Sequence, residues 1–317
     1  MNFTKPWLLL LVSLSSSQII GVHPTAPLPP ATHVQKTKTT TASNYGASTQ
    51  LARLKDKAVK ESSGLAASRT SRGVYWTHND SGDGPFIYAF DTKGNGRGTW
   101  RVTGATANDW EDIAAGPGPK PGVSYLYIGD IGDNQSKRSE IVVYRVPEPE
   151  LSKGTVSKSK AAATAPSEAI RLRYPDGSHD AEALLVHPHT GNIYIVTKIA
   201  FANPEIYEAR APLAAGRIIT LMRIGTLQVP SLLGGIITGG AISPDGRRVA
   251  FCDYMQGYEA VLENASSAFD TIWKRPLVAI SLGSRKQGEA ITYRLDGKAL
   301  LMTSEGSPMP LFQSERR

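Results

Sequence analysis

One cysteine, Cys252, stands in 317 residues, so no disulfide can form within the chain and packing must hold the fold. It lies in the strand-like RRVAFCDY (247–254), where a buried structural thiol fits better than a nucleophile. Long apolar runs are missing as well. Nothing beyond the first residues approaches eighteen consecutive apolar positions, which excludes a membrane-spanning helix there. No G-x-S-x-G elbow, P-loop or H-E-x-x-H sequence occurs, which removes the hydrolase and nucleotide chemistries built on those motifs. Long helical patterns are few, while Gly and Pro turns are frequent, as in an all-β chain.

The formal charge of +7 suggests nucleic acid only until it is mapped. Residues 36–60 hold six Lys/Arg against one acid, and 151–173 hold five against one. From totals of 35 basic and 28 acidic residues, these two stretches remove 11 and 2, leaving 24 against 26. The body is nearly neutral and lacks a basic stripe interleaved with aromatics, so nucleic-acid binding is not expected. The first residues read as an export signal: Lys5, an apolar core from Trp7 to Leu14, then small residues to Gly21. Residues 22–50, rich in Pro, Thr, Ala and Ser, read as a disordered leader. Asn79, Asn134 and Asn264 head N-x-S/T sequons, of which the first two lie inside acidic motifs. The chain is thus expected to be secreted and monomeric, acting on a small molecule or polymer.

What is present is repetition. ESSGLAAS (61–68), NDWEDIAAG (108–116), HDAEALLVHP (179–188), ITGGAISPDG (237–246) and QGEAITYRLDG (287–297) share a polar or acidic start and an aliphatic run. Aligned on Leu65, Ile113, Leu184, Ile242 and Ile291, they recur at steps of 48, 71, 58 and 49 residues. A period near fifty with several short strands per unit predicts a β-propeller over 51–315. Five four-stranded blades fit; a sixth would require the long second unit to hold another sheet. The insertion SKGTVSKSKAAATAP (152–166) accounts for the long step as a surface loop. The last unit lacks its outer strand, and Leu54 to Val59 is the expected closing strand from the other terminus.

Inner strands of a propeller line the axis, so acids at one register converge on one mouth. Glu61, Asp109, Asp180 and Thr238 share one position; Ser63, Glu111, Glu182, Gly240 and Glu289 share another two residues on. Crowded carboxylates need a cation or raised pKa values, and calcium suits a flexible oxygen cage. A second ring is expected at the ends of the next strands: Asn79 and Asp80, Asp130 with Asp133 and Asn134, Lys198, Asp253 and Glu305. Asp and Asn also favour turns for their own sake, and Asp176, Asp245 and Asp296 in PDG, PDG and LDG read as hairpin residues. His78 and His179 each precede a ring residue and are candidate acid/base groups or exposed turn residues; His187 and His189 read as hairpin residues. Lys198, ending an apolar strand, needs an anionic partner and is the candidate oxyanion contact.

SSGLAAS, WTHNDSGD, DWEDIA, IGDIGDN, DAEAL, ISPDGRR, QGEAI and SEG resemble a group of exported, mostly bacterial β-propellers of unassigned activity, over roughly residues 58–306. More distantly the arrangement is similar to calcium-bearing propellers such as β-propeller phytases, gluconolactonases and paraoxonase-like lactonases. That resemblance implies Glu61, Asn79, Asp109, Glu111, Glu182 and Glu289 as axial ligands. It also implies calcium that orients a phosphate or lactone while carboxylates activate water. FCDY (251–254) departs from it, since Arg-Thr-Tyr is expected there. Two functions follow: a calcium-dependent hydrolase with Glu111, Glu182 or Glu289 as base and Lys198 on the developing charge, or a non-enzymatic extracellular binding module with a structural ion.

Overall fold

The computed structural model describes residues 44–317, apart from Ser81, Leu232, Leu233, Ala265, Ser284, Lys286, Glu305 and Ser307. The export signal, most of the leader and Glu305 therefore lie outside the described residues.

Strand β1 (Thr49–Arg53) precedes five sheets. The first blade holds β2 (Ser62–Ala67), β3 (Val74–Asn79), β4 (Phe86–Asp91) and β5 (Gly96–Arg101). The second begins with β6 (Trp110–Pro117), β7 (Ser124–Asp130) and β8 (Ile141–Pro147). The chain then returns to the first blade's edge as β9 (Ala162–Ala163) before β10 (Glu168–Arg173) completes the second. The third is β11 (Ala181–Val186), β12 (Ile193–Thr197), β14 (Glu205–Ala209) and β16 (Met222–Thr226). Between these, β13 (Ile199–Ala200) pairs with β17 (Gly234–Gly235), and β15 (Ile218–Thr220) adds to the second blade's edge. The fourth is β18 (Gly239–Ile242), β19 (Arg248–Cys252), β20 (Gly257–Val261) and β21 (Val278–Ile280). The fifth is β22 (Gly288–Tyr293), β23 (Ala299–Ser304) and β24 (Pro310–Glu315), with β1 outermost.

The inner strands β2, β6, β11, β18 and β22 pack against one another in sequence, and β22 meets β2 to close the ring. Three of them, SSGLAA, AEALLV and GEAITY, are buried at every position, which is why they read as small and aliphatic runs without the alternation of a half-exposed strand. Between the first and second blades Trp76, Trp100 and Trp110 are all at most 1 % exposed. At roughly 25 cal/mol per Å² over 150–250 Å² each, every one contributes about 4–6 kcal/mol of apolar burial before entropy.

The closing strand lies a few residues earlier than expected. Thr49–Arg53 pairs with β24, Tyr45 bridges to Arg316, and Leu54 and Val59 instead lie buried in the core beside Met309 and Leu311. Residues 44–50, read from composition as leader, belong to the fifth blade. The Tyr45 hydroxyl explains part of this, donating to Glu259 at 2.6 Å. The insertion is likewise more than a loop, for it covers the outer edge of the first blade, a common way to blunt an open strand. There Gly98, at φ +148°, and Gly154 meet face to face against the Trp100 ring, and a Cβ on either would stand 2.4 Å from it.

Candidate functional site

Four of the five inner strands carry a register shift at the same point. It falls at Ser63, Glu111, Glu182 and Glu289, between the paired residues on either side. A bulge adds one residue and re-aims its side chain, so the three glutamates leave the ladder at equivalent positions around the ring. All three are buried. Strand β18 pairs Gly239 and Gly240 with Cys252 and Phe251 without a shift. Counted back from the hairpin, Gly239 holds the place of Gly64, Ala183 and Ala290, so Thr238, whose hydroxyl donates to the Gly288 carbonyl at 2.9 Å, stands where the other blades carry the bulge residue, and Gly240 is not among the glutamate positions. Ser63 uses its hydroxyl to donate to the Glu111 carbonyl at 2.9 Å, tying the first blade to the second.

Asp112, one residue past the bulge, is the group that the sequence reading overlooked. It is buried, and its carboxylate accepts from the backbone N–H of Ile113 at 2.8 Å, Leu184 at 3.0 Å and Gly240 at 3.3 Å, with the Leu65 N–H a further donor. One side chain therefore ties the inner strands of four blades across the axis. Burial pushes its carboxyl well up, against the pull of those N–H groups. The signal was present in sequence, because the equivalent residues are Gly64, Ala183, Gly239 and Ala290, leaving room for one large side chain. The far side of this plug is apolar. A cavity of about 300 Å³ opens there, lined by Leu65, Ile113, Leu185, Ile242 and Tyr293. The acids thus occupy one mouth and do not extend through the tunnel.

At that mouth, carboxylate oxygens of Asp80, Asp109 and Glu111 lie within 4.8 Å of one another. The loop GDIGDN from β7 arches over them. A Cβ at Gly132 would stand 2.3 Å from Glu111 Oε1 and 2.5 Å from Asp109 Oδ2, so only glycine leaves this cradle intact. Across the ring, Lys198 Nζ pairs with Glu182 Oε1 and donates to the Tyr254 hydroxyl at 2.9 Å. Burial opposes the Lys198 charge, but the adjacent Glu182 carboxylate outweighs it and holds the ammonium above its ordinary pKa. Glu289 accepts from Gln287 Nε2 at 2.7 Å. FCDY has no arginine, yet a guanidinium reaches this corner from the loop before β22: Arg285 donates to the Asp253 carbonyl at 3.1 Å. Its Nε and Nη1 are buried and have no hydrogen-bond partner among the described residues.

The other expected ligands do not join the trio. Glu61 is exposed, and its backbone carbonyl accepts from Asp80 N–H while Asp80 supplies the carboxylate. Asn79 turns inward: Oδ1 accepts from the N–H groups of Lys60 and Glu61 at 2.8 and 3.1 Å, and Nδ2 donates to Ala58 O at 2.8 Å. Asp130 plays the same part in the second blade, receiving Asn108 and Asp109 N–H and pairing with Arg138 at 2.8 Å. Asp180 accepts Asp133 N–H at 2.8 Å, so it braces the cradle loop. These are strand-end residues whose short polar side chains cap the preceding turn, the bland role such residues often take.

Neither histidine faces the mouth. His179 turns to Asp176, and His78 is fully buried, edge-on to Trp110, with Nδ1 on the Asn79 carbonyl at 2.9 Å. Burial holds His78 below its ordinary pKa. The unfolded chain, with a histidine near 6.5, therefore binds this proton more readily, and the stabilisation is complete above about pH 6.5 and lost as pH falls below it. Between pH 7 and 5 the His78→Gln variant should lose stability less steeply than wild type, by up to about 1.4 kcal/mol per pH unit in urea melts. Parallel profiles would remove His78 as the cause. Cys252 is fully buried, and burial pushes its thiol up to about 12, so it is inert as expected.

Among the described residues no helix is long and apolar enough to cross a membrane. No protein-family model matches the chain, and no curated protein matches it. Among solved structures it is similar to the Dos1 propeller, at 9 % identity over 79 % of this chain and 67 % of that one, with a TM-score of 0.36. It is also similar to a putative oxidoreductase (glucose dehydrogenase) from Thermus thermophilus, at 9 % identity over 84 % of this chain and 99 % of that one, with a TM-score of 0.44. Neither likeness bears on activity; the chain is a five-bladed β-propeller.

Proposed function

We propose that this propeller is an exported, cation-dependent hydrolase of phosphoesters or lactones, working from its acidic mouth. One observation carries the reading: a carboxylate trio beneath the Gly132 cradle faces, across one ring, a lysine and an arginine drawn into the same pore. The trio suits calcium. Metal–oxygen bonds of about 2.3–2.6 Å place ligand oxygens at most roughly 5 Å apart, which the 4.8 Å limit satisfies. Asp80, Asp109 and Glu111 would hold the ion, and when bound it would supply Lewis-acid polarisation of a substrate oxygen.

The remaining groups divide the work. Glu182 is neutralised by Lys198, which leaves Glu289, steadied by Gln287, as the base that orients and deprotonates water. Lys198 stays protonated and cannot serve as a base; with two N–H donors on Glu182 and Tyr254, its third has no partner among the described residues and is open to developing negative charge. Arg285 offers its inner N–H groups to a phosphate or carboxylate, replacing the cation missing from FCDY.

A binding propeller with a structural ion is the second reading, favoured by the acids that brace neighbouring backbone: Asp130, Asp133 and Asp180. Glu289→Gln separates the two. Hydrolase function expects turnover on a phosphoester and lactone panel to fall by about 10²–10⁴-fold with the melting temperature unchanged. Unchanged turnover in Glu289→Gln, or in wild type stripped of cations by chelator, would overturn the hydrolytic reading. A chelator-dependent melting temperature without any turnover supports the structural one.

A further inference from the structure

A second cluster of metal-ligating side chains lies outside the mouth machinery. Asp176 and His179 stand in the connection from β10 to β11, Glu205 opens β14, and Tyr207 follows two residues later. Sequence marked Asp176 as a hairpin residue and left His179 as either a mouth-facing acid/base group or an exposed turn residue. Instead, one ligand atom from each of Asp176, His179 and Glu205 lies within 4.8 Å of the others. His179 Nε2 is 3.0 Å from Asp176 Oδ1 and 3.9 Å from Glu205 Oε2.

The proton inventory of this cluster is short. The Tyr207 oxygen lies 2.9 and 3.0 Å from the two Asp176 oxygens, 2.5 Å from Glu205 Oε2 and 3.0 Å from His179 Nε2. The single phenol O–H can donate to only one of these four neighbours at a time. Arg223 neutralises Glu205 from outside, through the other carboxylate oxygen at 2.6 Å, and leaves Oε2 turned inward. Beneath the cluster Tyr174, only 6 % exposed, packs edge-on against the His179 and Tyr207 rings. Its buried hydroxyl has no hydrogen-bond partner among the described residues. The three ligands themselves are partly open to solvent, so an ion can enter and keep water.

We propose that Asp176, His179 and Glu205, with the Tyr207 oxygen, form a binding site for a divalent transition metal of the zinc class. An imidazole with hard oxygens suits zinc and its neighbours, whereas the all-oxygen trio at the mouth suits calcium. Metal–ligand bonds of about 2.0–2.2 Å separate ligands by roughly 2.9 to 4.3 Å; the observed 3.0 and 3.9 Å from His179 to the carboxylates fall inside that range, and the 2.5 Å Tyr207–Glu205 hydrogen bond is the contact the ion would replace. The site ties the loop that carries Asp180, the brace of the mouth's cradle, to the third blade.

Cobalt(II) titration of the chelator-treated full chain, followed by visible absorption, tests this. One equivalent should bind and be displaced by zinc. His179→Gln and Glu205→Gln, each checked for wild-type circular dichroism, should weaken binding by at least about 100-fold. Glu111→Gln and His187→Gln should leave it unchanged, which separates this site from the mouth and from the His187–His189 pair. No saturable cobalt binding by wild type, or wild-type affinity in both ligand variants, overturns the assignment and leaves a hydrogen-bonded side-chain network in its place.

Discussion

Asp112→Ala should lower the melting temperature by more than about 8 °C. The substitution removes the acceptor for backbone N–H groups of Ile113, Leu184 and Gly240, all inside the ring where water cannot replace it. A buried donor left unmatched costs about 1–3 kcal/mol, so three or more amount to at least about 4 kcal/mol even with partial relaxation. At about 2–4 °C per kcal/mol for a chain of this size, that gives the stated shift. Asp112→Asn should fall between, because it keeps one oxygen but turns an NH₂ toward N–H donors. A melting temperature within about 2 °C of wild type for the alanine variant would mean the strands close without the plug. The effect belongs to folding, since the carboxylate faces backbone on every side.

Gly132→Ala should separate the trio from the fold. The atoms nearest the added Cβ are the ends of the Asp109 and Glu111 side chains, at 2.5 and 2.3 Å, and these can swing aside at little cost in stability. Their oxygens then no longer converge. A displacement near 1 Å at a reacting centre costs on the order of 10²-fold, so calcium affinity and any turnover should fall about that far with the urea midpoint nearly unchanged. Gly225→Ala, where a Cβ would meet nothing within 4 Å, is the matched control and should behave as wild type. Retention of wild-type calcium affinity in Gly132→Ala would show that the trio is not the ion's cage. Together the two glycine variants test the cation reading independently of the assignment of Glu289 as base.

The blade count, the order of strands and the register of the glutamates were legible because they depend on local repetition. Gly-rich turns and buried aliphatic runs recur about every fifty residues, and each run can hide both faces only inside a stack of sheets. The closing strand was misplaced because Leu54 and Val59 are apolar for burial against Met309, whereas Thr49–Arg53 lies at an exposed edge and carries little hydrophobic signal. Glu61 and Asn79 read as ligands since acidic strand ends look alike whether they face a pore or cap a turn. Only contacts separate the two roles.

Sequence alone determined the propeller, the single buried thiol and the shared register of Glu111, Glu182 and Glu289, because composition and period are set one residue at a time. Tertiary structure decided which acids meet. Asp80, Asp109 and Glu111 come together because packing the first blade on the second brings the ends of β3 and β6 side by side. It also decided that Lys198 neutralises Glu182, that Arg285 reaches the Asp253 corner, and that one aspartate among four small residues plugs the axis. Those are distances across blades, and electrostatic interactions depend on distance and burial rather than on order along the chain.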